Sequence, residues 1–152
     1  MKHRRLLVLL GAGVCACIGP FSEDFESHYA NVQDAQGDGA FTRGWLPEIV
    51  PEEASDIWEL HNIDTNLTWA CFRTPRGSAS VRTLLAKAGA TRATGPIASR
   101  PPGFFRTRPW WPASMAQAEL ERYELKENDR FTLQIGIDVA EARACLHRTT
   151  GS

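Results

Sequence analysis

The sequence predicts an α+β domain, in which an antiparallel sheet built from two hairpins carries about three helices packed on one face. Three observations support this class. Two pairs of segments alternate in hydrophobicity, segments with helical spacing lie between them, and a regular strand–helix–strand repeat is absent. After removal of a leader, the remaining length suits a single domain with one core.

The first hairpin is predicted around residues 62–66, which are rich in Asn and Asp and therefore favour a turn. Residues 56–62 form its first strand and residues 67–72 its second. A helix over residues 52–60 is the alternative, because Pro51 fits a first helical turn. In the strand, alternation places Trp58 and Leu60 inward, and the opposite face carries Ile57, Glu59 and His61.

The last hairpin gives the most regular alternation in the chain. Five apolar residues occupy every second position of one strand: Phe131, Leu133, Ile135, Ile137 and Val139. Residues 142–148 are expected to return beside this strand. A helix over residues 140–148 is the alternative, because that stretch is rich in strong helix formers.

Helices are predicted over three segments between and before the strands. Residues 24–36 place Phe25, Tyr29 and Val32 on one helical face. Residues 78–89 have an apolar stripe and a closing Gly89, and residues 112–123 begin with a proline suited to a first turn. Residues 91–102 lack periodicity and contain three prolines, so we expect a loop there.

The N-terminus has a basic start, MKHRR, a short apolar run, LLVLLGAGV, and small residues before a cysteine. This order resembles a bacterial lipoprotein signal peptide, in which Val14, Ala16 and Cys17 hold the positions around the cleavage point. The resemblance implies a signal peptide over residues 1–16 and lipidation of Cys17. The rest of the sequence predicts a tether over residues 17–27 and one globular domain over residues 28–152.

Signal cleavage without lipidation and an uncleaved anchor are the alternatives to lipidation. The apolar run is short for a membrane-spanning helix, which needs about 20 residues. We therefore expect a protein of the bacterial cell envelope that is lipid-anchored and faces the periplasm, with a soluble periplasmic or secreted protein as the alternative.

The cysteine count fits an oxidising compartment. Cys15 leaves with the signal and Cys17 takes the lipid, so Cys71 and Cys145 remain as one pair. We predict that they form a disulfide. Two buried free thiols are the alternative.

Charge is segregated along the chain. Residues 17–70 contain eleven acidic residues and one base, Arg43, whereas residues 65–118 contain eight bases and no acid. This pattern indicates either neutralisation within the fold or a basic face toward an anionic lipid or cell-wall polymer. Nucleic acid is not an expected partner, because no nucleic-acid-binding motif is present.

A longer resemblance covers most of the chain after the signal. The stretch GWLPEIVPEEASDIWELHNIDTNLTWACF, the later PWWP and a final strand pair ending in HRTTG are similar to a family of small, uncharacterised bacterial envelope proteins. The similarity is carried mainly by Gly44, Trp45, Pro47, Pro51, Ala54, Ile57, Asp64, Asn66, Trp69, Phe72, Trp110 and Trp111. It implies a location and a fold, and it implies no activity.

Catalytic and metal-binding motifs are weak. His61 with Asp56, Asp64 or Glu59 is the best candidate for proton transfer, because a carboxylate can orient a histidine. The three histidines after the signal are scattered, which disfavours a metal site. We expect no enzyme activity, no cofactor and no metal.

The segment GFFRTRPWWP is the best candidate for a binding surface, because aromatic rings and guanidinium groups alternate in a stretch stiffened by proline. Its candidate residues are Phe104, Phe105, Arg106, Arg108, Trp110 and Trp111. The competing interpretation places the rings in the core and the arginines outside.

Three functions follow from these features. The leading hypothesis is a non-catalytic, lipid-anchored module that binds another envelope protein or an anionic cell-wall polymer. The second is an inhibitor or immunity-type lipoprotein whose acidic half meets a cationic partner. The third is a small hydrolase that uses His61.

Overall fold

A computed structural model of the protein describes residues 23–74, 79–97, 99–102, 108–117 and 120–150. The predicted signal peptide and Cys17 lie outside these ranges. In the described part of the chain, no helix combines the length and the apolar character needed to cross a bilayer.

Across the described residues the architecture is one antiparallel sheet of seven strands with two short α-helices. The strands are β1 (Asp24–Asn31), β2 (Ser55–Asn62), β3 (Thr68–Arg73), β4 (Thr91–Ala93), β5 (Glu121–Lys126), β6 (Phe131–Asp138) and β7 (Arg143–Thr150). The helices are α1 (Val32–Gly37) and α2 (Ala79–Lys87), and a 3-10 turn spans Ala113–Ala116. The spatial order of the strands is β1-β2-β3-β7-β6-β5-β4. The predicted α+β class with about three helices is therefore wrong, since the fold is mostly β.

The helix predicted over residues 24–36 is the first source of this error. Phe25, Ser27 and Tyr29 also alternate, and in the structure they lie opposite His61, Glu59 and Ile57 of β2. Pairing with a neighbouring strand decides between the two periods, and the helix forms only after Asn31, whose side chain accepts a hydrogen bond from the Asp34 backbone N–H. β1 thus begins at Asp24, inside the segment assigned to the tether.

The helix predicted over residues 112–123 is the second source. Among the described residues of this segment, the only helical element is the 3-10 turn, and Glu121 already belongs to β5. Tyr123 and Leu125 of β5 pack on the sheet face that carries Ile135 and Leu133 of β6. The loop predicted over residues 91–102 contains one short strand, β4, which pairs with β5.

The two predicted hairpins and the helix over residues 78–89 correspond to β2–β3, β6–β7 and α2. The Asn62 side chain closes the β2–β3 turn by accepting hydrogen bonds from the backbone N–H groups of Asp64 and Thr65. Residues 143–150 form a strand, so the helix considered there is excluded. Val139, expected at the end of the strand, lies exposed in the β6–β7 turn.

Both faces of the sheet are covered, which the prediction of one helical layer did not anticipate. We call them the helix face and the loop face. The helix face packs Ile57, Phe72 and Ile135 against α1, α2 and residues 40–54. The loop face packs Leu60, Trp69 and Cys71 against Ile97, Trp110 and Met115. Burial on both sides explains why β3 is buried at five consecutive positions.

The predicted disulfide is present. Cys71 on β3 lies directly opposite Cys145 on β7, and both are buried on the loop face. The bridge joins the only two strands through which β1-β2-β3 meets β7-β6-β5-β4 in the sheet of described residues.

The oppositely charged segments meet in ion pairs. Arg108 pairs with Glu26 and Arg73 with Asp56, each joining the basic stretch to the acidic one. Arg82 and Arg92 pair with Glu121 of β5. These contacts favour neutralisation within the fold for four of the eight bases.

Gly136 of β6 allows the loop layer to approach the sheet. A Cβ at this position would lie 2.8 Å from Met115 Sδ and 3.1 Å from Ile97 Cδ1. We expect Gly136→Val to lower the free energy of unfolding by about 1–3 kcal/mol, because overpacking forces the buried neighbours to shift. Urea denaturation measures this change. The control is Gly37→Ala, whose added Cβ meets no atom within 4 Å; equal stability of the two variants would contradict the packing argument.

Candidate functional site

The described part of the predicted binding surface packs onto the sheet. Trp110 is buried, and its Nε1 donates a hydrogen bond to Glu26 Oε1 at 3.0 Å. Arg108 Nε donates to the other oxygen of the same carboxylate at 2.8 Å, and Trp111 meets Trp110 edge-on. This supports the packing interpretation for the Trp110 ring, whereas Arg108, which that interpretation places outside, has a side chain only 12% exposed. Phe104, Phe105 and Arg106 lie outside the described residues.

Two of the three carboxylates considered as partners of His61 are engaged elsewhere. Asp56 accepts hydrogen bonds from His28, Trp58 and Arg73 at an irregularity of β2. Burial raises the pKa of Asp56, but these hydrogen bonds outweigh burial and leave that pKa below its usual value. The Asp64 carboxyl lies beside Glu23, and the hydrogen bond between the two acids raises the pKa of Glu23.

Glu59 is the carboxylate that reaches His61. The two residues are two positions apart on β2, so both side chains lie on the helix face of the sheet. His61 Nδ1 and Glu59 Oε1 are 2.9 Å apart, and both side chains are buried. The second carboxyl oxygen of Glu59, Oε2, is buried without a hydrogen-bond partner.

Aromatic rings cover His61. The ring of Trp45 stacks on it at a centroid distance of 3.7 Å, and Phe25, opposite His61 on β1, stacks at 5.6 Å. The Arg43 guanidinium lies 3.9 Å from the centre of the Trp45 ring and also donates a hydrogen bond to Asp38. Trp45 and Arg43 come from the segment between α1 and β2, so this stack joins three parts of the chain.

The stack borders a cleft of about 370 Å³, which we call the His61 cleft. Its main lining residues are Phe25, Asp38, Arg43, Trp45, His61 and Ile63. A smaller neighbouring pocket of about 110 Å³ shares four of them and extends toward Asn66 and Arg148. Apolar rings with a few charged groups are the usual composition of a ligand site.

Burial sets the protonation of the pair below the cleft. It raises the pKa of Glu59 to about 8, with further increases from Asp38 and Glu26 and decreases from Arg43 and Arg148. Burial, followed by the charge of Arg43, lowers the pKa of His61. At neutral pH both side chains are therefore uncharged and are joined by one hydrogen bond.

This pair can orient the imidazole of His61. Within the described ranges, no serine, threonine or cysteine side chain forms a hydrogen bond with His61. The hydrogen bond with Glu59 thus fixes the imidazole ring of His61 at the wall of the cleft. A ring held in this way can contact a ligand in the cleft.

The other histidines occupy separate environments. His28 stacks on Trp58 and contacts Asp56 on the loop face. His147 is buried against Trp69, and its Nδ1 lies 3.2 Å from the carbonyl oxygen of Thr68. Among the residues that the structure describes, no group of three or more His, Cys, Asp or Glu side chains is arranged to hold a metal.

No curated protein and no solved structure matches the chain. Residues 23–73 match the YbbD head domain family model. This YbbD-like segment covers about a third of the chain and supports a protein of bacterial envelope type. It contains the whole GWLPE-to-ACF stretch used for the sequence resemblance, but neither PWWP nor the final strand pair.

The YbbD-like segment coincides with β1, α1, β2 and β3, and it contains every lining residue of the His61 cleft. Sequence reasoning had found His61 and Glu59 but had not joined them to Phe25, Arg43 or Ile63. Trp45 was marked only by the family resemblance. The alternation of Phe25 and Tyr29 is the sequence signal that could have placed this strand beside His61, but the same residues also fit the predicted helix.

Proposed function

We propose that the protein is a lipid-anchored envelope module that binds a partner through the His61 cleft and acts without catalysis. One observation carries this proposal. Phe25 and Ile63 are 50% and 52% exposed, and these large apolar side chains border the same cleft as Trp45. Apolar side chains exposed together beside an aromatic cleft are typical of binding surfaces.

The anchor would keep this surface near the membrane. β1 begins at Asp24, seven residues after Cys17, and an extended chain of that length spans at most about 25 Å. Phe25 is the second residue of that strand. A partner on or close to the bilayer would therefore be within reach of the cleft.

Photo-crosslinking in native cells tests the proposal. A photoreactive amino acid at position 25 or 63 is expected to give a specific adduct with an envelope component, identified by mass spectrometry. Val139 provides the matched control, because it is 58% exposed but lies in the β6–β7 turn at the other end of the sheet. Equal adducts from all three positions would contradict a dedicated surface.

The anchor is tested in the same cells. Cys17→Ser is expected to move the protein from the membrane fraction to the soluble fraction and to weaken the adduct at position 25. Intact mass of the wild-type protein should show an acylated chain that begins at Cys17. An unmodified chain beginning at Met1 would overturn the anchor.

A further inference from the structure

We infer that the partner presents an extended basic segment, which pairs with the free edge of β1 and places its cations beside Glu23 and Asp64. This inference rests on the proposed function and specifies the partner of the same surface. It combines the edge strand, the apolar side chains of the cleft and the charge around them.

β1 is an open edge of the sheet. It pairs with β2 on one side, and no described strand pairs with it on the other. The strand has eight residues, DFESHYAN, and it contains neither proline nor lysine, two residues that commonly protect edges from pairing. The opposite edge, β4, has only three residues. A long edge with no described strand beside it supplies the backbone groups that strand addition needs.

The side chains beside this edge favour an alternating apolar and charged segment. Phe25 on β1 and Ile63 in the β2–β3 turn expose apolar surface on the cleft side. The Ile63 backbone N–H donates to the Glu23 carbonyl oxygen, which holds the start of β1 against this turn. Apolar side chains of an added strand would therefore meet Phe25 directly, while Ile63 lies on the β2 side of the same strand.

The acidic residues around the edge of β1 favour a positively charged partner. Glu23, Asp24 and Asp64 lie together at the start of β1 and the β2–β3 turn. The hydrogen bond with Asp64 raises the pKa of Glu23 most, followed by desolvation and the negative charges of Asp64 and Asp24. The nearest base of the cleft, Arg43, is paired with Asp38. Lysine or arginine side chains would complement the negative charge of these acids, whereas an anionic polymer would add to it.

Two synthetic peptides test the inference with the full mature chain. An eight-residue peptide of alternating Lys and Val is expected to bind saturably in calorimetry, at least tenfold more tightly than the peptide of alternating Glu and Val. Its affinity should fall with added salt. Equal binding of the two peptides would overturn the choice of a cationic partner.

Strand pairing is tested by removing donors from the probe. N-methylation of alternate residues keeps the charge of the Lys–Val peptide but blocks its backbone hydrogen bonds along one edge, and we expect at least tenfold weaker binding. Undiminished binding would show that charge alone attracts the peptide and would overturn strand addition. Sedimentation of the free protein as a dimer would instead assign the edge to a second copy of the chain.

Matched variants locate the contact. Glu23→Gln with Asp64→Asn is expected to weaken Lys–Val binding about tenfold, whereas Glu48→Gln with Glu52→Gln, at exposed acids elsewhere, should leave it unchanged. Equal effects of the two pairs would overturn the location. Adducts at positions 25 and 63 without Lys–Val binding would refute this inference alone, whereas loss of position-specific adducts would refute the proposed function.

Discussion

Glu59→Gln is expected to abolish most of the loss of stability that the wild-type protein shows as the pH rises from about 5 to about 8. Burial raises the pKa of Glu59 to about 8, against an ordinary value of 4.5. The folded protein therefore keeps a proton that the unfolded chain releases as the pH rises through 4.5. The stabilisation is complete below that pH and is lost as the pH rises through the folded pKa, with an upper limit of about 5 kcal/mol.

The two buried histidines act at lower pH. Burial lowers the pKa of His61 and of His147 from the ordinary value of 6.5. As the pH falls, these histidines are therefore protonated in the unfolded chain before they are protonated in the folded protein. Their contribution to the stability of the fold is present above pH 6.5 and is lost as the pH falls through the pKa values of the folded protein. The wild type should therefore lose stability on both sides of a mildly acidic maximum, and Glu59→Gln should lose it only on the acidic side.

Urea denaturation at a series of pH values between about 5 and 9 measures both curves. At about pH 8.5 we expect the Gln variant to exceed the wild type by about 2–5 kcal/mol, since its amide needs no proton to remain neutral. Glu52→Gln, at an exposed carboxyl, is the control and should follow the wild type. Parallel curves for wild type and Glu59→Gln would show that Glu59 does not titrate in this range.

The sequence correctly predicts those elements for which the hydrophobic periodicity and the turn-forming residues indicate the same structure. β2–β3 has both alternation and an Asn62 turn, and β6 alternates over its whole length. β1 was missed because Phe25, Tyr29 and Val32 satisfy a helical period, while Phe25 and Tyr29 also satisfy a strand period. Only pairing with β2, which is distant in the sequence, resolves this ambiguity.

The candidate site shows the same division. Strand alternation put Glu59 and His61 on one face, and this local prediction is confirmed by their 2.9 Å contact. The sequence pattern does not show which of Asp56, Asp64 and Glu59 contacts His61. The irregularity of β2 at Asp56 and the Glu23–Asp64 contact both depend on strands that are distant in the sequence. Trp45 stacks on His61, and Arg43 lies over Trp45. Both residues belong to the irregular segment between α1 and β2, whose sequence has no hydrophobic periodicity from which their positions could be predicted.

Removal of the Cys71–Cys145 bridge is expected to cost up to about 4 kcal/mol, because the crosslink closes a loop of 74 residues in the unfolded chain. For a domain of this size, the melting temperature should fall by about 10–15 °C. The bridge also has a special position. It fastens the YbbD-like β1-β2-β3 unit to β7 at the centre of the sheet, where the two halves meet only through β3–β7 pairing.

Two measurements separate the covalent effect from packing. Wild-type protein that is unfolded, reduced and refolded in reductant keeps both sulfur atoms but lacks the crosslink, whereas Cys71→Ala with Cys145→Ala also removes the sulfurs from the loop-face core. We expect most of the loss in the reduced wild type and a smaller additional loss in the double variant. Thiol titration of native material in denaturant should find neither cysteine free before reduction. A reduced protein that melts within about 2 °C of the oxidised one would mean that β3–β7 pairing holds the two halves together without the bridge.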